Sequence, residues 1–470
     1  MSSAVPGALL RELGRTEGGT DALRLLVRDQ HTRRLVLLRA LLDAAGAAPP
    51  AVCPPALRDR LGRDWALLEA AERADRDAVR TVLLYPLAGS WAERTLHGLT
   101  DTATATAPGP GPGPASPSGL DRDLGHLGAL AAAAAIRARL PFAVRLTAHR
   151  GLLPLPTLGA LRTGAGPVDA ALRDGRVTLR AASGPPVTLT VDAHGAHSAD
   201  PRWMPLLTLP GVQPGAAPVP LDDLDPYRTA GGGPERYGLT VATGLDAADR
   251  ADWARLWSRT APLLGAGGAH RPAETATLLH CLVPLAPPPG TAPADRSRAQ
   301  CSATRREAFG AVLTSRPVTP EHLSATLVHE LQHTKLTALA ALVPLHHEDP
   351  APRHFAPWRP DPRPFDGLLQ GAYSHLALAG HWQRLALGAE RIPRRELAWA
   401  EHARCREQVG AVLPVLAGSG ALTPEGRVLV NEMITVYHRL ADRPPPAGHL
   451  ARATAYVRTA RGIWRRGNGT

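Results

Sequence analysis

His329-Glu330-Leu331-Gln332-His333 constrains this chain more than any other five residues. Residues four apart on an α-helix differ by roughly 40° in direction, so both imidazoles leave one face toward one point. Two neutral imidazoles so placed make half of a divalent metal site. Glu330 sits beside them, close enough to touch a metal-bound water or to hold a ligand. With 19 histidines in 470 residues, the pattern arises by chance in roughly one chain in thirty, so the flanks must carry the argument. Thr319-Pro320-Glu321 supplies an N-cap, a proline at the first helical position and an early acid. Leu323, Leu327, Leu331, Leu336 and Leu339 then recur at helical spacing. This predicts one helix over Glu321 to Val343.

Two histidines leave the site incomplete. Asp361 and Asp366 lie in the irregular sequence after the helix, as do His346, His347 and His354. His375 and His381 fall on the next helical stretch, and Glu396, Glu401 and His402 come later. His375 is the favoured third ligand. It lies early in its helix, and Gly371 one turn before it permits close helix approach. His381 is six residues on and points away from His375. For each candidate a surface or core-satisfied histidine is the plainer alternative. Trp358-Arg359-Pro360-Asp361-Pro362-Arg363-Pro364 adds a separate signal. Its prolines hold the chain extended and fix two arginines, whose planar forks suit a carboxylate or make structural ion pairs.

The formal charge of +11 raises the question of nucleic acid or an anionic membrane. Lys335 is the only lysine, and the arginines are interleaved with acids rather than clustered. No nucleic-acid motif is present, so no nucleic-acid partner is expected. No apolar run reaches membrane-spanning length, since Leu130 to Ile136 is too short. The N-terminus lacks a basic region followed by an apolar stretch. Cys53, Cys281, Cys301 and Cys405 are far apart. They suit neither a disulfide framework nor a thiolate zinc site. A cytoplasmic protein with no membrane contact is the expectation. Lys335 lies about 240° round the helix from His329 and reads as peripheral to the metal.

Helical periodicity fills residues 8 to 100, with a break near Pro86 and Gly89. Residues 101–119 are Thr, Ala, Pro, Gly and Ser after the opening Asp101, a flexible linker or surface loop. A helix from Leu120 stops before Pro141, and residues 141 to 210 alternate as short strands around turns such as Asp174-Gly175. A helix near 245 to 264 carries Trp253 and Trp257 as core residues. Thr277 to Leu285 reads as a buried strand and Glu307 to Ser315 as an edge strand. Helices follow from about 368 to 387, 394 to 416 and from Thr423 to about Leu440. The expected fold is α+β and mostly helical, with a small β-rich region. Its expected units are residues 1–100, the linker 101–119, a mixed region 120–240 and a helical metal-binding domain 241–470.

Ser302-Ala303-Thr304, Phe309-Gly310, the pentapeptide with Thr334-Lys335-Leu336, the Trp358–Pro364 segment and Gly371-Ala372-Tyr373 together resemble the actinobacterial HExxH-motif proteins. These belong to peptide natural-product clusters, alone or fused to radical-SAM enzymes. The resemblance is strongest over residues 277 to 390 and looser around Leu83-Leu84-Tyr85-Pro86 and Trp91. It implies an Fe(II)- and α-ketoglutarate-dependent dioxygenase that hydroxylates a β-carbon of a ribosomally made precursor peptide. A radical-SAM maturase of the same pathway is an implied partner. His329 and His333 would then hold iron with His375. Arg363, and second Arg359, would anchor the distal carboxylate of α-ketoglutarate, and Tyr373 would hydrogen-bond it. The common facial triad has a carboxylate as its third member, so Asp361, Asp366 and Glu330 stay open as alternatives to His375.

Two other readings compete. A zinc metallopeptidase would use Zn(II) to activate water and Glu330 as general base. Against it, no third-ligand extension follows the pentapeptide, and position 336 is Leu. A non-catalytic peptide-recognition protein would carry a degenerate metal site.

Overall fold

Helix Thr20–Ala47 ties the molecule together, because its two halves lie in different cores. The computed structural model describes residues 5–104, 117–192, 195–229, 242–287 and 301–468. Of the chain, 57% is helical and 15% lies in strands of small sheets, so the fold is α+β and mostly helical.

The N-terminal helices run Gly7–Gly14, Thr20–Ala47, Pro55–Ala74, Arg76–Leu83, Pro86–Thr104 and Pro117–Arg137. Local chemistry sets their starts. The Asp75 carboxylate accepts from the amides of Asp77 and Ala78, satisfying first-turn donors of the Arg76 helix. Gly89 does not break its helix. It lies against the Glu307 carbonyl and the Arg34 guanidinium, where a Cβ would collide. Both ends of the expected linker are helical, while residues 105–116 lie outside the described residues.

Phe142–Ala148, Gly166–Arg173, Arg176–Ala181, Val187–Asp192 and Gly195–His197 form an antiparallel meander. Asp174 and Gly175 both have positive φ, 50° and 73°, as a two-residue hairpin turn between right-twisted strands demands. Leu152–Leu155, Gly159–Arg162 and Trp203–Pro205 make a second small sheet. These strands and the helices from Leu38 to Ile136 enclose one core.

A third sheet prepares the functional region. Cys281–Leu285 lies parallel to Val219–Leu221 on one side and to Ala311–Ser315 on the other. Ser302–Ala303 covers the far side of Ala311–Ser315 as an antiparallel edge. Ala311–Ser315 is therefore interior and fully buried, not the edge strand its sequence suggested. Thr277 is not in the strand either. Pro272 and Glu274 begin a helix, Arg271–Leu278, and a short apolar run cannot by itself distinguish its last turn from a strand.

After this sheet come the motif helix Pro320–Leu342, then Phe365–Gly388, Ile392–Gly410, Leu413–Ala417, Pro424–Arg439 and Ala447–Asn468. They bury a second core that also takes in Val5 to Leu26 from the start of the chain. The last helix, Ala447–Asn468, was not foreseen. Among the described residues no helix is long and apolar enough to cross a membrane.

Candidate metal centre

Thr319 caps the motif helix through its side chain, which accepts from the amide of His322, and Pro320 starts it. The helix is buried on nearly every side, so His329 and His333 are presented at a fixed height and angle. Their Nε2 atoms stand 3.1 Å apart. Two nitrogen ligands on one ion at ~2.1 Å, roughly 90–110° apart, would be about 3.0–3.4 Å from each other. The pair has that spacing.

Phe365–Gly388 packs alongside and brings His375 to the same place. Its ring centre lies 5.3 Å from that of His329 and edge-on to it. The Nδ1 of His375 is 2.8 Å from the Gly371 carbonyl, and the Nδ1 of His333 is 3.1 Å from Oε1 of Gln370. Assigned from these acceptors, both rings carry their proton on Nδ1, which leaves Nε2 as the lone-pair nitrogen. An oxygen acceptor behind a ligand imidazole is the usual outer-shell arrangement at metal sites. His329 differs, because its Nδ1 is buried with no hydrogen-bond partner among the described residues. Burial, then the neighbouring His333 and His375, holds His329 well below the usual imidazole range. Burial alone is the main cause for His375, pushed down to about 3. Neutral imidazole is the metal-binding form. Among the described residues no group of three or more His, Cys, Asp or Glu is placed so that it could hold a metal ion as it stands. The arrangement is a fixed pair with a third imidazole beside it.

Gly371 acts differently from the expectation. A Cβ there would run into the Trp358 ring, so the glycine admits Trp358 rather than the motif helix. Trp358 lies nearly parallel to His375, 20° between planes and 4.6 Å between centres, and so fixes the imidazole plane.

All three histidines line a cavity of about 980 Å³, together with Glu330, Arg359, Arg363 and Asp366. Glu330 is 3% exposed, and its Oε1 accepts from Ser302 at 2.6 Å. Burial raises its pKa, against the opposing pull of His333 and of hydrogen bonds from Ser302 and Thr304. Arg363 is paired with Asp361 at 3.2 Å. Arg359 has no acid within ion-pair distance among the described residues. Asp366 sits 3.3 Å from His346, and Asp361 does not line the cavity.

Tyr373 does not belong to the site. It is 1% exposed and donates its hydroxyl to the Leu13 carbonyl at 2.5 Å. Two residues before His375 on a helix, it faces another side. Lys335 points away from the histidines and does not line their cavity, yet it is a buried structural residue. It is 1% exposed, pairs with Glu274 and donates to the carbonyls of Thr16 and Glu17 at 3.1 and 3.0 Å. His381 is buried against Ser324 Oγ at 3.1 Å, away from the cavity.

The far wall of the cavity carries no mark in the sequence. Ser90, Glu93 and His97 reach the cavity from helix Pro86–Thr104, and Arg305 and Arg306 from the loop after Ser302–Ala303. No local pattern marks them, because they meet the motif only through the packing of two distant segments. Gln370 was also missed, although its place directly before Gly371 was a usable sign. A second cavity, about 560 Å³, lies between helix Pro117–Arg137 and strand Phe142–Ala148 and holds none of the motif residues. No protein-family model matches the chain, and no curated protein is significantly similar to it.

Proposed function

We propose that this protein is an Fe(II)- and α-ketoglutarate-dependent dioxygenase that hydroxylates a β-carbon of a peptide made on the ribosome. One observation carries the reading. Three imidazoles and two guanidiniums, His329, His333, His375, Arg359 and Arg363, face one cavity. Iron with open positions, bound with α-ketoglutarate, supplies the oxidising chemistry of such an enzyme. His329 and His333 would hold it, with His375 as the third ligand.

The chain's own residues have defined tasks in this reading. Gln370 and the Gly371 carbonyl orient His333 and His375. Trp358 excludes water from one face of His375. Arg359, which has no acid within ion-pair distance among the described residues, binds the distal carboxylate of the co-substrate, and Arg363 assists from its pairing with Asp361. A cavity of about 980 Å³ has room for a small dicarboxylate and a peptide side chain together. Glu330 is occupied by Ser302 and Thr304, so it serves to tie the motif helix to the edge strand. That occupation also weighs against the zinc metallopeptidase, in which Glu330 must be free to take a proton from water.

Reconstitution without oxygen, followed by air, tests the reading. The protein should convert α-ketoglutarate to succinate with Fe(II) and not with Zn(II), faster when a precursor peptide from a neighbouring gene is present. Peptide cleavage supported by Zn(II) without α-ketoglutarate would replace this reading with the peptidase.

A further inference from the structure

A smaller cavity, about 190 Å³, opens between the segment 15–17, the turn before helix Arg271–Leu278, and the helices Phe365–Gly388 and Pro424–Arg439. It shares no lining residue with the cavity of the three histidines. Arg15, Arg271, Arg384, Arg439 and His270 line it, against Glu17 as the single acid. Arg15 is shared between Glu17 at 3.7 Å and Glu432 at 3.5 Å. Arg271 is taken by Glu274. Arg384 and Arg439 have no acidic partner and no side-chain hydrogen bond among the described residues.

Two polar groups at the site are also orphaned. Arg271 is 2% exposed, and among the described residues neither its Nε nor the buried Nε2 of His270 has a hydrogen-bond partner. Burial and then the positive neighbours Arg271 and Arg439 hold Arg384 below its ordinary range, with Glu17 only partly offsetting them. Packing like charges around a half-enclosed space is unfavourable unless an opposite charge enters it.

We propose that this cavity binds a small oxyanion of the size and charge of inorganic phosphate. Its volume falls below that of sites for drug-sized ligands, so the ligand has few heavy atoms. Guanidinium forks from Arg384 and Arg439 would take its oxygens, with the Arg271 Nε–H and His270 completing the set.

Thermal unfolding and calorimetric titration of the full chain with inorganic phosphate, at ionic strength held constant with chloride, test this. Phosphate should raise the Tm saturably. Arg384→Gln should weaken phosphate binding about tenfold or more, the effect of losing a charge-assisted contact. Without phosphate the same variant should melt no lower than the parent, because one of several crowded like charges is gone. Arg359→Ala, in the larger cavity, should keep the full phosphate response. The absence of a saturable response overturns the site, as does an unchanged response in Arg384→Gln. Loss of the response in Arg359→Ala would place the anion in the larger cavity instead and overturn it too. If Arg384→Gln does not fold, Arg439→Gln is read by the same two measurements.

Discussion

The two cores of this molecule differ in what they bury. The core formed by the N-terminal helices and the meander is mainly aliphatic, with Ala131 to Ala135 and Ile136 among its most buried residues. Two of its buried polar groups are held by direct neighbours, while Asp64 Oδ2 and Ser90 Oγ have no hydrogen-bond partner among the described residues. Asp123 is held by Arg94, Arg122 and Tyr227, and His126 lies between the rings of Trp91 and Tyr227. The core around the motif helix encloses Glu274, Lys335, Gln332, Glu330, His375, His381 and His402, each under a tenth exposed. Buried charges seldom add stability over apolar residues of the same size. The second core therefore spends stability on placing groups, and the first supplies stability and one wall of the cavity. Polar burial concentrates where geometry has to be held, which is where a sequence departs from the simplest core.

The largest effect expected separates the cores by metal. His329→Ala and His333→Ala should each lose metal binding at near-stoichiometric concentration while keeping the helical circular dichroism signal. His126→Ala, in the other core, should keep its metal. Full metal content in the His329 and His333 double variant would break the comparison.

The next effect concerns stability. Lys335→Met removes one of the two cations on the buried Glu274, leaving Arg271, and loses the bonds to the Thr16 and Glu17 carbonyls. It should lower the unfolding free energy by about 1.5–3 kcal/mol. Leu124→Ala in the aliphatic core should lower it by about 2–5 kcal/mol through a cavity. Urea titration reads both. The two should then diverge in metal affinity, with only Lys335→Met weakening it, because Lys335 anchors the motif helix to the carbonyls of Thr16 and Glu17.

Much of this division was legible in the residues. The Thr319-Pro320 start and leucine spacing placed the motif helix within a residue at each end, since capping and periodicity are local. Asp174-Gly175 gave its hairpin for the same reason. His375 was favoured from its position in a helix, and the structure does bring it beside His329. Tertiary contacts were not legible. Nothing near Lys335 announces that Glu274 and the carbonyl of Thr16 lie against it. Nothing near Tyr373 announces that Leu13 takes its hydroxyl. Gly371 signalled a close approach, but its partner proved to be Trp358, thirteen residues before it, and not the motif helix. Ala311–Ser315 read as an edge because its neighbour, Ser302–Ala303, is only two residues long.

A smaller effect sharpens the role of the arginines. Arg359→Ala should raise the apparent KM for α-ketoglutarate roughly ten- to hundredfold, the loss of about 1.5–3 kcal/mol for a charged contact, with iron content unchanged. Arg363→Ala should raise it less, because Asp361 already shares that guanidinium. Equal affinity in Arg359→Ala and the parent would move the anchor elsewhere.

The smallest effect lies in the aliphatic core and is driven by pH. Burial pushes His126 down to about 3. A depressed histidine contributes stability above its unfolded value near 6.5, lost as pH falls from there toward the folded value. Asp64, pushed up to about 6 by burial, works in the opposite sense, since its contribution is present at low pH and lost as pH rises. His126→Phe should therefore reduce the acid destabilisation between pH 7 and pH 5 by on the order of 1–2 kcal/mol. Tm against pH for the two proteins checks it, and parallel curves would contradict it.

The polar core is proposed to serve oxygen chemistry rather than hydrolysis. Mass spectrometry of the precursor peptide after turnover with Fe(II), α-ketoglutarate and isotopically labelled molecular oxygen tests it most directly. An intact peptide heavier by one labelled oxygen atom on a β-carbon is the predicted result. A peptide cut at an amide bond, with the oxygen drawn from water, would contradict the claim.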